Sequence, residues 1–170
     1  PLPDYLDLNA LLNDEHRMTM EAVRALVNET FLPHVREHNR DATFPVKEIP
    51  KLASLGILGC SLDGYGLPGM DGTSYGLIMR ELERCDSGLR SFASVQSSLV
   101  MYPIHAFGSE EQKQTWLPRL AKADAIGCFG LTESEGGSDP GAMKTRAEKI
   151  PTGWRLNGSK MWITNGTLAQ

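Results

Sequence analysis

The spacing of apolar residues changes once along the chain, close to Asp124. Before this point they recur every three or four positions, which is the spacing of one helix face. After it, apolar and polar residues alternate in short runs, which is typical of half-buried strands. Helices followed by strands indicate an α+β multi-domain protein. We therefore predict an N-terminal all-helical domain over residues 1–124 and the first strands of an antiparallel β domain over residues 125–170.

Helix signals in the first part predict five helices. The first covers residues 8–40, with an N-cap at residue 13 or 14 and a kink or division at Pro33. The sequence S-E-E-Q from Ser109 is a capping-box pattern at the start of the last helix. We expect Trp116 of that helix to be buried, and Pro118 to break the helix or to start its last turn. The other helices are predicted over residues 44–56, with a possible break at Pro50, 73–86 and 89–107.

Composition and charge exclude several classes of protein. The 170 residues are 41% apolar and 22% charged, which is ordinary for a globular protein. The net charge of −4 and the absence of any Lys/Arg run argue against nucleic acid as a partner. Since no apolar run approaches the roughly 20 residues that span a bilayer, no membrane span is expected. The N-terminal sequence has neither signal-peptide nor transit-peptide character.

The cysteines and histidines give no metal pattern. Cys60, Cys85 and Cys128 are widely spaced without a C-x-x-C, which suits reduced thiols in a reducing compartment. His34 and His38 could share a helix face, but nothing nearby offers a convincing third ligand. We therefore predict a solvated helix face there and no metal site.

The segment Cys128–Ala142 carries the strongest chemical signal. An apolar run over residues 126–131 predicts a buried strand, and the sequence turns polar at Thr132. The glycine-rich loop that follows contains Ser138-Asp139. Glycines allow close approach of the backbone, and successive amides can bind an oxygen-rich ligand. On composition alone, an ordinary surface loop is an equally good interpretation.

The last forty residues predict three further strands. Apolar and polar residues alternate over residues 143–148, and Pro151–Gly153 are predicted to form a turn. A return strand covers residues 154–156, Asn157-Gly158 is a hairpin signal, and another strand covers residues 160–164.

Three segments resemble the acyl-CoA dehydrogenase family. G-L-T-E-x-x-G-G-S-D-x-x-A, at residues 130–142, resembles its first signature, and K-M-W-I-T-N, at residues 160–165, its second flavin-contacting segment. The segment at residues 86–101, D-S-G-L-R-S-F-A-S-V-Q-S-S-L-V-M, is similar to that of glutaryl-CoA dehydrogenases. The family has an N-terminal helical domain, a middle β domain and a C-terminal helical domain. The resemblance thus implies that the C-terminal helical domain is absent and that the catalytic base, a Glu, lies beyond Gln170. No catalytic residue is assigned in this stretch, which alone is expected to be inactive.

The resemblance implies FAD as the cofactor. Leu131 and Thr132 would face the pyrimidine edge of the flavin, and Gly137 and Ser138 would lie near the pyrophosphate. In isolation, Trp162 would be interpreted as a core tryptophan. Within its motif, the resemblance implies that its side chain is a wall for the flavin ring. The Thr164 hydroxyl would point toward N5 of the flavin. The implied cofactor-binding residues are Phe129, Gly130, Leu131, Thr132, Glu133, Gly136, Gly137, Ser138, Trp162, Ile163 and Thr164.

The pair Arg90-Ser91 bears on the substrate. In isolation, an Arg near a helix start is most often solvated. In glutaryl-CoA dehydrogenases an Arg-Ser pair at the matching place meets the distal carboxylate of the substrate. The resemblance therefore implies Arg90 and Ser91 as substrate-binding residues. It also implies Ser138, which would reach the CoA part of the substrate. The sequence departs from the family at Ser134, where Pro is usual, and Leu89 and Phe92 indicate a different shape of acyl pocket.

The resemblance implies oxidative decarboxylation of glutaryl-CoA to crotonyl-CoA by the full-length enzyme, with electrons passed to an electron-transfer flavoprotein. A homotetramer in the bacterial cytoplasm or the mitochondrial matrix is expected. One alternative is an acyl-CoA dehydrogenase for another short chain. Another is a helical scaffold or interaction module without flavin.

Overall fold

The computed structural model describes residues 5–170. Helices come first and two antiparallel strands last, which confirms the predicted fold class. Within these residues, no helix is both long enough and apolar enough to cross a membrane. The helices are α1 (Asp14–Leu26), α2 (Val35–Asp41), α3 (Ile49–Ser54), α4 (Gly72–Cys85), α5 (Ser87–Ser94), α6 (Tyr102–Phe107) and α7 (Glu110–Ala121), and the strands are β1 (Arg146–Ile150) and β2 (Gly153–Asn157). Short 3-10 turns cover Leu8–Leu11, Leu32–His34, Val46–Glu48 and Pro140–Ala142, and π-helical turns cover Val27–Phe31 and Val95–Met101.

The predicted first helix is divided at Pro33. Asn13 caps α1, because its side chain accepts a hydrogen bond from the backbone N–H of His16 at 2.8 Å. The chain then widens into a π-helical turn and tightens into the 3-10 turn that contains Pro33. Proline has no N–H to donate to the preceding turn, so the regular α-helical hydrogen bonds are interrupted at Pro33. The predicted division is confirmed, and α2 is a separate helix.

Two other prolines act differently from the prediction. Pro50 lies in the first turn of α3 and begins that helix, since the first turn needs no N–H from it. The predicted start at residue 44 is therefore too early. Pro118 lies inside α7, which continues to Ala121.

The end of the second predicted helix, near Gly56, is confirmed. Gly56 adopts a left-handed φ of 67° just after α3 ends.

The helical core forms around α4, which packs against both α1 and α5. Ile78 and Leu82 of α4 are buried together with Val23 of α1 and Phe92 of α5. The ring of Phe44 lies 5.5 Å from that of Phe92, centroid to centroid. Apolar stripes at helical spacing therefore meet in one core, as the sequence pattern predicts.

A buried carboxylate joins α1 to α4. The Glu81 side chain is 2% exposed and accepts two hydrogen bonds from Arg24, at 2.8 and 3.1 Å, and one from Arg84 at 3.1 Å. Burial acts to raise the pKa of Glu81, but the bonds from the two guanidinium groups outweigh it and hold the pKa below its ordinary value. Glu81 is thus a charged cross-link between the two helices.

The helix α7 begins as predicted but buries a different residue. Its capping box is confirmed: the Ser109 hydroxyl accepts from Gln112 N at 3.2 Å, and Ser109 N donates to the Gln112 side chain at 2.8 Å. Leu117 is fully buried, whereas Trp116 is 39% exposed, so its predicted burial is wrong. The Arg119 guanidinium carbon lies 5.0 Å from the Trp116 ring centroid, which is a cation–π contact at the surface.

The two strands form one hairpin, with Ile150 opposite Gly153 and Arg146 opposite Asn157. The predicted turn at Pro151–Gly153 is confirmed, but nearly every residue of the hairpin is exposed, so its strands are not half-buried. The predicted strands over 126–131 and 160–164 do not form, nor does the hairpin at Asn157-Gly158. Strands need a continuous backbone ladder, but the only backbone–backbone hydrogen bond between residues 126–132 and 160–164 joins Met161 N to the Thr132 carbonyl, at 2.9 Å.

We predict that Glu81→Gln destabilises the protein, because it removes the negative charge that Arg24, Arg80 and Arg84 share. Hydrogen bonds to charged groups contribute about 1.5–3 kcal/mol, and we expect the lower figure because the arginines are partly exposed. The measurement is urea unfolding followed by circular dichroism. The control is Glu83→Gln, which breaks an exposed pair on the same helix. Equal losses from the two variants would contradict the cross-link.

Candidate functional site

A cavity of about 180 Å³ lies where the two motif segments, taken as residues 126–142 and 160–165, meet the helical domain. The first segment contributes three of the residues expected at the cofactor, and the second contributes three more. The π-helical turn after α5 closes the cavity with two residues that the motifs do not include. The lining residues are Phe129, Leu131, Thr132, Trp162, Ile163, Thr164, Val95 and Leu99.

Val95 and Leu99 were missed by the sequence analysis. They lie four and eight residues after Ser91, which is the spacing of one helix face. The segment from α5 to α6 continues in helical form through the π turn, so this face remains in register. A count of helical turns from Ser91 toward the C-terminus would therefore have predicted Val95 and Leu99 on the same side of the helix as Ser91.

The two motif segments are held side by side by hydrogen bonds. Met161 N donates to the Thr132 carbonyl at 2.9 Å. The Lys160 ammonium donates to the Leu131 carbonyl at 2.9 Å and to the Glu133 carboxylate at 2.8 Å. These bonds fix the backbone of Leu131 and Thr132, whose side chains line the cavity.

Glu133 lies beside the cavity, among protein donors. Its side chain is 9% exposed and accepts from Lys144 N at 2.6 Å and Thr145 N at 3.0 Å, in addition to Lys160. The bond from Lys160, followed by those from Thr145 and Lys144, holds the pKa of Glu133 at about 2. The carboxylate therefore ties the start of the loop to the chain just before β1. Its predicted cofactor contact stays a prediction.

The glycine-rich loop is a tight, exposed turn. Glu133 and Gly136 exchange two backbone hydrogen bonds, at 3.0 and 3.2 Å, around Ser134-Glu135. Gly137 and Ser138 follow at the surface, outside the lining of the cavity. A Cβ atom placed on Gly137 would meet no atom within 4 Å, so the folded chain does not itself require glycine there. Gly130 also lies outside the lining and packs beside Lys160.

Trp162 is not a core residue. Its side chain is 84% exposed at the edge of the cavity. Its φ of 58° lies in the left-handed region, where a bulky residue costs on the order of 1–3 kcal/mol. A large apolar ring held exposed in a strained conformation indicates a binding role.

Arg90 and Ser91 lie on α5, one turn before the cavity lining. Arg90 Nε donates to Glu83 at 2.7 Å, and the Ser87 hydroxyl donates to the other oxygen of Glu83 at 2.7 Å. These bonds, that of Arg90 first, hold the pKa of Glu83 below its ordinary value. Arg90 is therefore part of a surface ion pair between α4 and α5, and neither Arg90 nor Ser91 is among the residues that line the cavity.

A second cavity, of about 280 Å³, contains none of the predicted site residues. It lies between the end of α2, the loop at residues 42–45 and the start of α5. His38, on its wall, bonds to the Thr43 hydroxyl at 2.8 Å, and His34 lies 3.7 Å from Glu37. Within residues 5–170, no three His, Cys, Asp or Glu side chains group as metal ligands.

Two family models together match most of the chain. The first, described as acyl-CoA dehydrogenase, N-terminal domain, matches residues 13–124. The second, described as acyl-CoA dehydrogenase, middle domain, matches residues 128–170. The chain belongs to the acyl-CoA dehydrogenase family.

Named relatives of this acyl-CoA dehydrogenase chain differ in substrate. The human mitochondrial short-chain specific acyl-CoA dehydrogenase is 36% identical over 155 residues, 91% of this chain and 38% of that protein. A glutaryl-CoA dehydrogenase from Mycobacterium smegmatis, solved in complex with FADH2, is 51% identical with a TM-score of 0.94, over 96% of this chain and 42% of that one. A structure described as the electron transferring flavoprotein of Acidaminococcus fermentans contains a chain 35% identical with a TM-score of 0.88, over 93% of this chain and 42% of that one. This chain thus spans about two fifths of each relative.

We predict that the stabilisation from Glu133 is lost in acid. Its folded pKa of about 2 is below the ordinary 4.5, so the stabilisation is complete above pH 4.5 and disappears as the pH falls toward 2. Wild type should therefore be more stable than Glu133→Gln at pH 6, and the difference should shrink toward pH 2. Urea unfolding at several pH values measures it. Glu135→Gln, which alters an exposed partner of Lys144, is the control, and a pH-independent difference for Glu133→Gln would contradict the assignment.

Proposed function

We propose that the complete protein is an FAD-dependent acyl-CoA dehydrogenase of the glutaryl-CoA type, which oxidises glutaryl-CoA and decarboxylates the product to crotonyl-CoA and CO2. The observation that carries the flavin assignment is the cavity between the two motif segments, which six of the expected cofactor residues line. The 51% identity to a glutaryl-CoA dehydrogenase solved with FADH2 supports the choice of substrate. The family membership supports the reaction class.

The residues of the cavity fit a flavin ring. Trp162 offers an exposed flat face, and Phe129 is also 40% exposed, although both are large and apolar. Flavin rings need such walls together with a few polar groups, which Thr132 and Thr164 provide here. Gly137, where the fold requires no glycine, leaves room for a pyrophosphate to approach the backbone.

Bound FAD would accept the β-hydrogen of the acyl chain as a hydride. The tasks of this chain are to hold the ring and to donate hydrogen bonds to its polar edge. Thr132 and the backbone near Leu131 suit the pyrimidine edge, and the Thr164 hydroxyl suits N5. Glu133 and Lys160 keep these groups fixed, because they bond the two segments to each other. The base that removes the α-proton is proposed to lie outside residues 1–170.

Arg90 and Ser91 are the proposed contacts for the distal carboxylate of glutaryl-CoA. A carboxylate that leaves water needs a fixed positive partner, and a guanidinium presents five donors, of which Nε is bonded to Glu83. In the proposed complex the substrate carboxylate shares Arg90 with Glu83. Ser91 lies four residues before Val95 of the cavity, on the same helical face.

A second candidate is an acyl-CoA dehydrogenase for an uncharged short chain. The specific observation in its favour is that Arg90 already has a carboxylate partner, Glu83, and is 38% exposed. The 36% identity to a short-chain specific enzyme also supports it. In this case Arg90 joins α4 to α5 and does not contact the substrate.

Further parts of the proposal concern the whole protein. We propose an electron-transfer flavoprotein as the electron acceptor, supported by the related chain in an electron transferring flavoprotein structure. We also propose a homotetramer and a domain boundary between residues 124 and 125. The proposed location is the bacterial cytoplasm or the mitochondrial matrix, and the human relative is named as mitochondrial. Purified protein without a flavin absorption spectrum would leave only the scaffold alternative.

We predict that Arg90→Leu in the complete enzyme reduces kcat/KM for glutaryl-CoA by the equivalent of about 2–5 kcal/mol, the cost of removing one partner of a desolvated charge pair. Butyryl-CoA has no distal charge, so its kcat/KM should change little. The ratio of the two values is the measurement, because it cancels general damage. Glu83→Gln is the control: it removes the competing carboxylate and should maintain or raise the preference for glutaryl-CoA. An equal loss for both substrates would favour the short-chain candidate.

We predict that Thr164→Val slows flavin reduction and leaves substrate binding nearly unchanged, because it removes a donor to the hydride acceptor and keeps the shape of the side chain. Loss of one such donor reduces the rate by about 10²–10³-fold in comparable sites. Stopped-flow absorbance of the flavin measures it. Thr167→Val, an exposed threonine outside the cavity lining, is the control. An unchanged reduction rate would remove Thr164 from the proposed site.

A further inference from the structure

Gln96 is a fully buried side chain at the junction of the helical domain and the first motif segment. Its exposure is 0%. Its amide nitrogen donates to the carbonyls of Leu120 and Ala125, both at 3.0 Å, and its oxygen accepts from Gly127 N at 2.9 Å. One carboxamide thus bonds to three backbone groups, one in the last turn of α7 and two on the chain that follows it.

Gly127 is held closely from two sides. A Cβ atom on Gly127 would lie 2.4 Å from Val100 Cγ1, so only glycine lets the segment come this near the helix. The Asn165 side chain, from the second motif segment, donates to the Gly127 carbonyl at 3.3 Å. Gly127 is therefore the point where the helix and both motif segments are joined.

The position of this junction determines the shape of the cavity. In sequence, Gln96 lies between Val95 and Leu99, which line the cavity on the helix side. Gly127 lies two residues before Phe129 and four before Leu131, which line the cavity on the opposite side. A displacement at Gly127 would therefore change the distance between the helix that carries Arg90 and Ser91 and the segment expected at the flavin.

We propose that Gln96 is a positioning residue. Through Gly127, it sets the distance between the helix that carries Arg90 and Ser91 and the first motif segment, where the flavin is proposed to bind. The inference rests on the proposed function. If the Gln96 carboxamide is removed, the carbonyl of the buried residue Ala125 loses its donor. A buried carbonyl without a donor is costly, so the segment shifts. Gln96 touches neither cofactor nor substrate in this role.

The test compares Gln96→Met with Ser97→Ala in the complete, FAD-loaded protein. Ser97 is a matched control, because it is the next residue, is 2% exposed, and accepts from Gly59 N at 2.9 Å, within the helical domain. Each variant removes a buried acceptor from a glycine N–H, but only Gln96 bonds to the motif segment. Amide hydrogen exchange of residues 125–132 and 57–62, the FAD Kd, and the kcat and KM for acyl-CoA are measured.

We expect Gln96→Met to raise exchange in residues 125–132, to weaken FAD binding at least tenfold and to lower kcat by about 10²-fold, the order expected of a small misplacement. Ser97→Ala should raise exchange in residues 57–62 and leave the FAD Kd and kcat within about twofold, because it does not move the segment. Similar functional losses in the two variants would overturn the proposal. So would faster exchange in residues 125–132 of Gln96→Met without a change in FAD Kd or kcat.

A second variant keeps the test decisive if Gln96→Met does not fold. Asn165→Asp retains a residue that tolerates the left-handed φ of 65° and removes the donor to the Gly127 carbonyl at a partly exposed position. It should weaken FAD binding in the same direction, and an unchanged FAD Kd would overturn the proposal. Wild-type protein that lacks flavin after purification would instead refute the proposed function, and exchange at residues 125–132 would still report whether Gln96 holds the segment.

Discussion

The burial of α4 between α1 and α5 is the constraint on which the rest of the structure depends. Ile78 and Leu82 of α4 contribute to the core from one face, and Glu81 lies buried beside them, neutralised by arginines from α1 and α4. A carboxylate in such a place is tolerated only when its charge is matched and its oxygens are bonded. Once α4 is fixed, α5 is fixed against it, and the helix that leads into the cavity has a defined position.

The cavity depends on polar contacts rather than on a β-sheet. The motif segments lack a regular ladder, and side chains hold them instead: Lys160 and Glu133 between the segments, and Gln96 at the helix. Such contacts are specific because each buried polar atom needs its own partner at hydrogen-bond distance. The segments therefore keep their irregular backbone, including the left-handed conformation of Trp162 that leaves its ring exposed.

Much of the helical fold could be predicted because its signals are local. The capping box at Ser109, the division at Pro33 and the left-handed Gly56 depend on residues within a few positions, and all three are confirmed. Trp116 was wrongly expected in the core, because helical spacing alone did not distinguish it from Leu117, which takes the inward position. The strands expected over 126–131 and 160–164 failed for a non-local reason: alternation makes a strand possible, but only a neighbouring backbone ladder forms it.

The family, the order of helices before strands and the position of the two motif segments could be predicted from the sequence, since these follow from residue type and spacing along the chain. Tertiary structure alone decided that the segments meet at one cavity, that Val95 and Leu99 complete its wall, and that Arg90 is paired with Glu83. It also decided that Glu133 turns toward Lys160 and the backbone before β1. These are contacts between residues distant in sequence, and they form only where packing of the helices brings the backbones within hydrogen-bond reach.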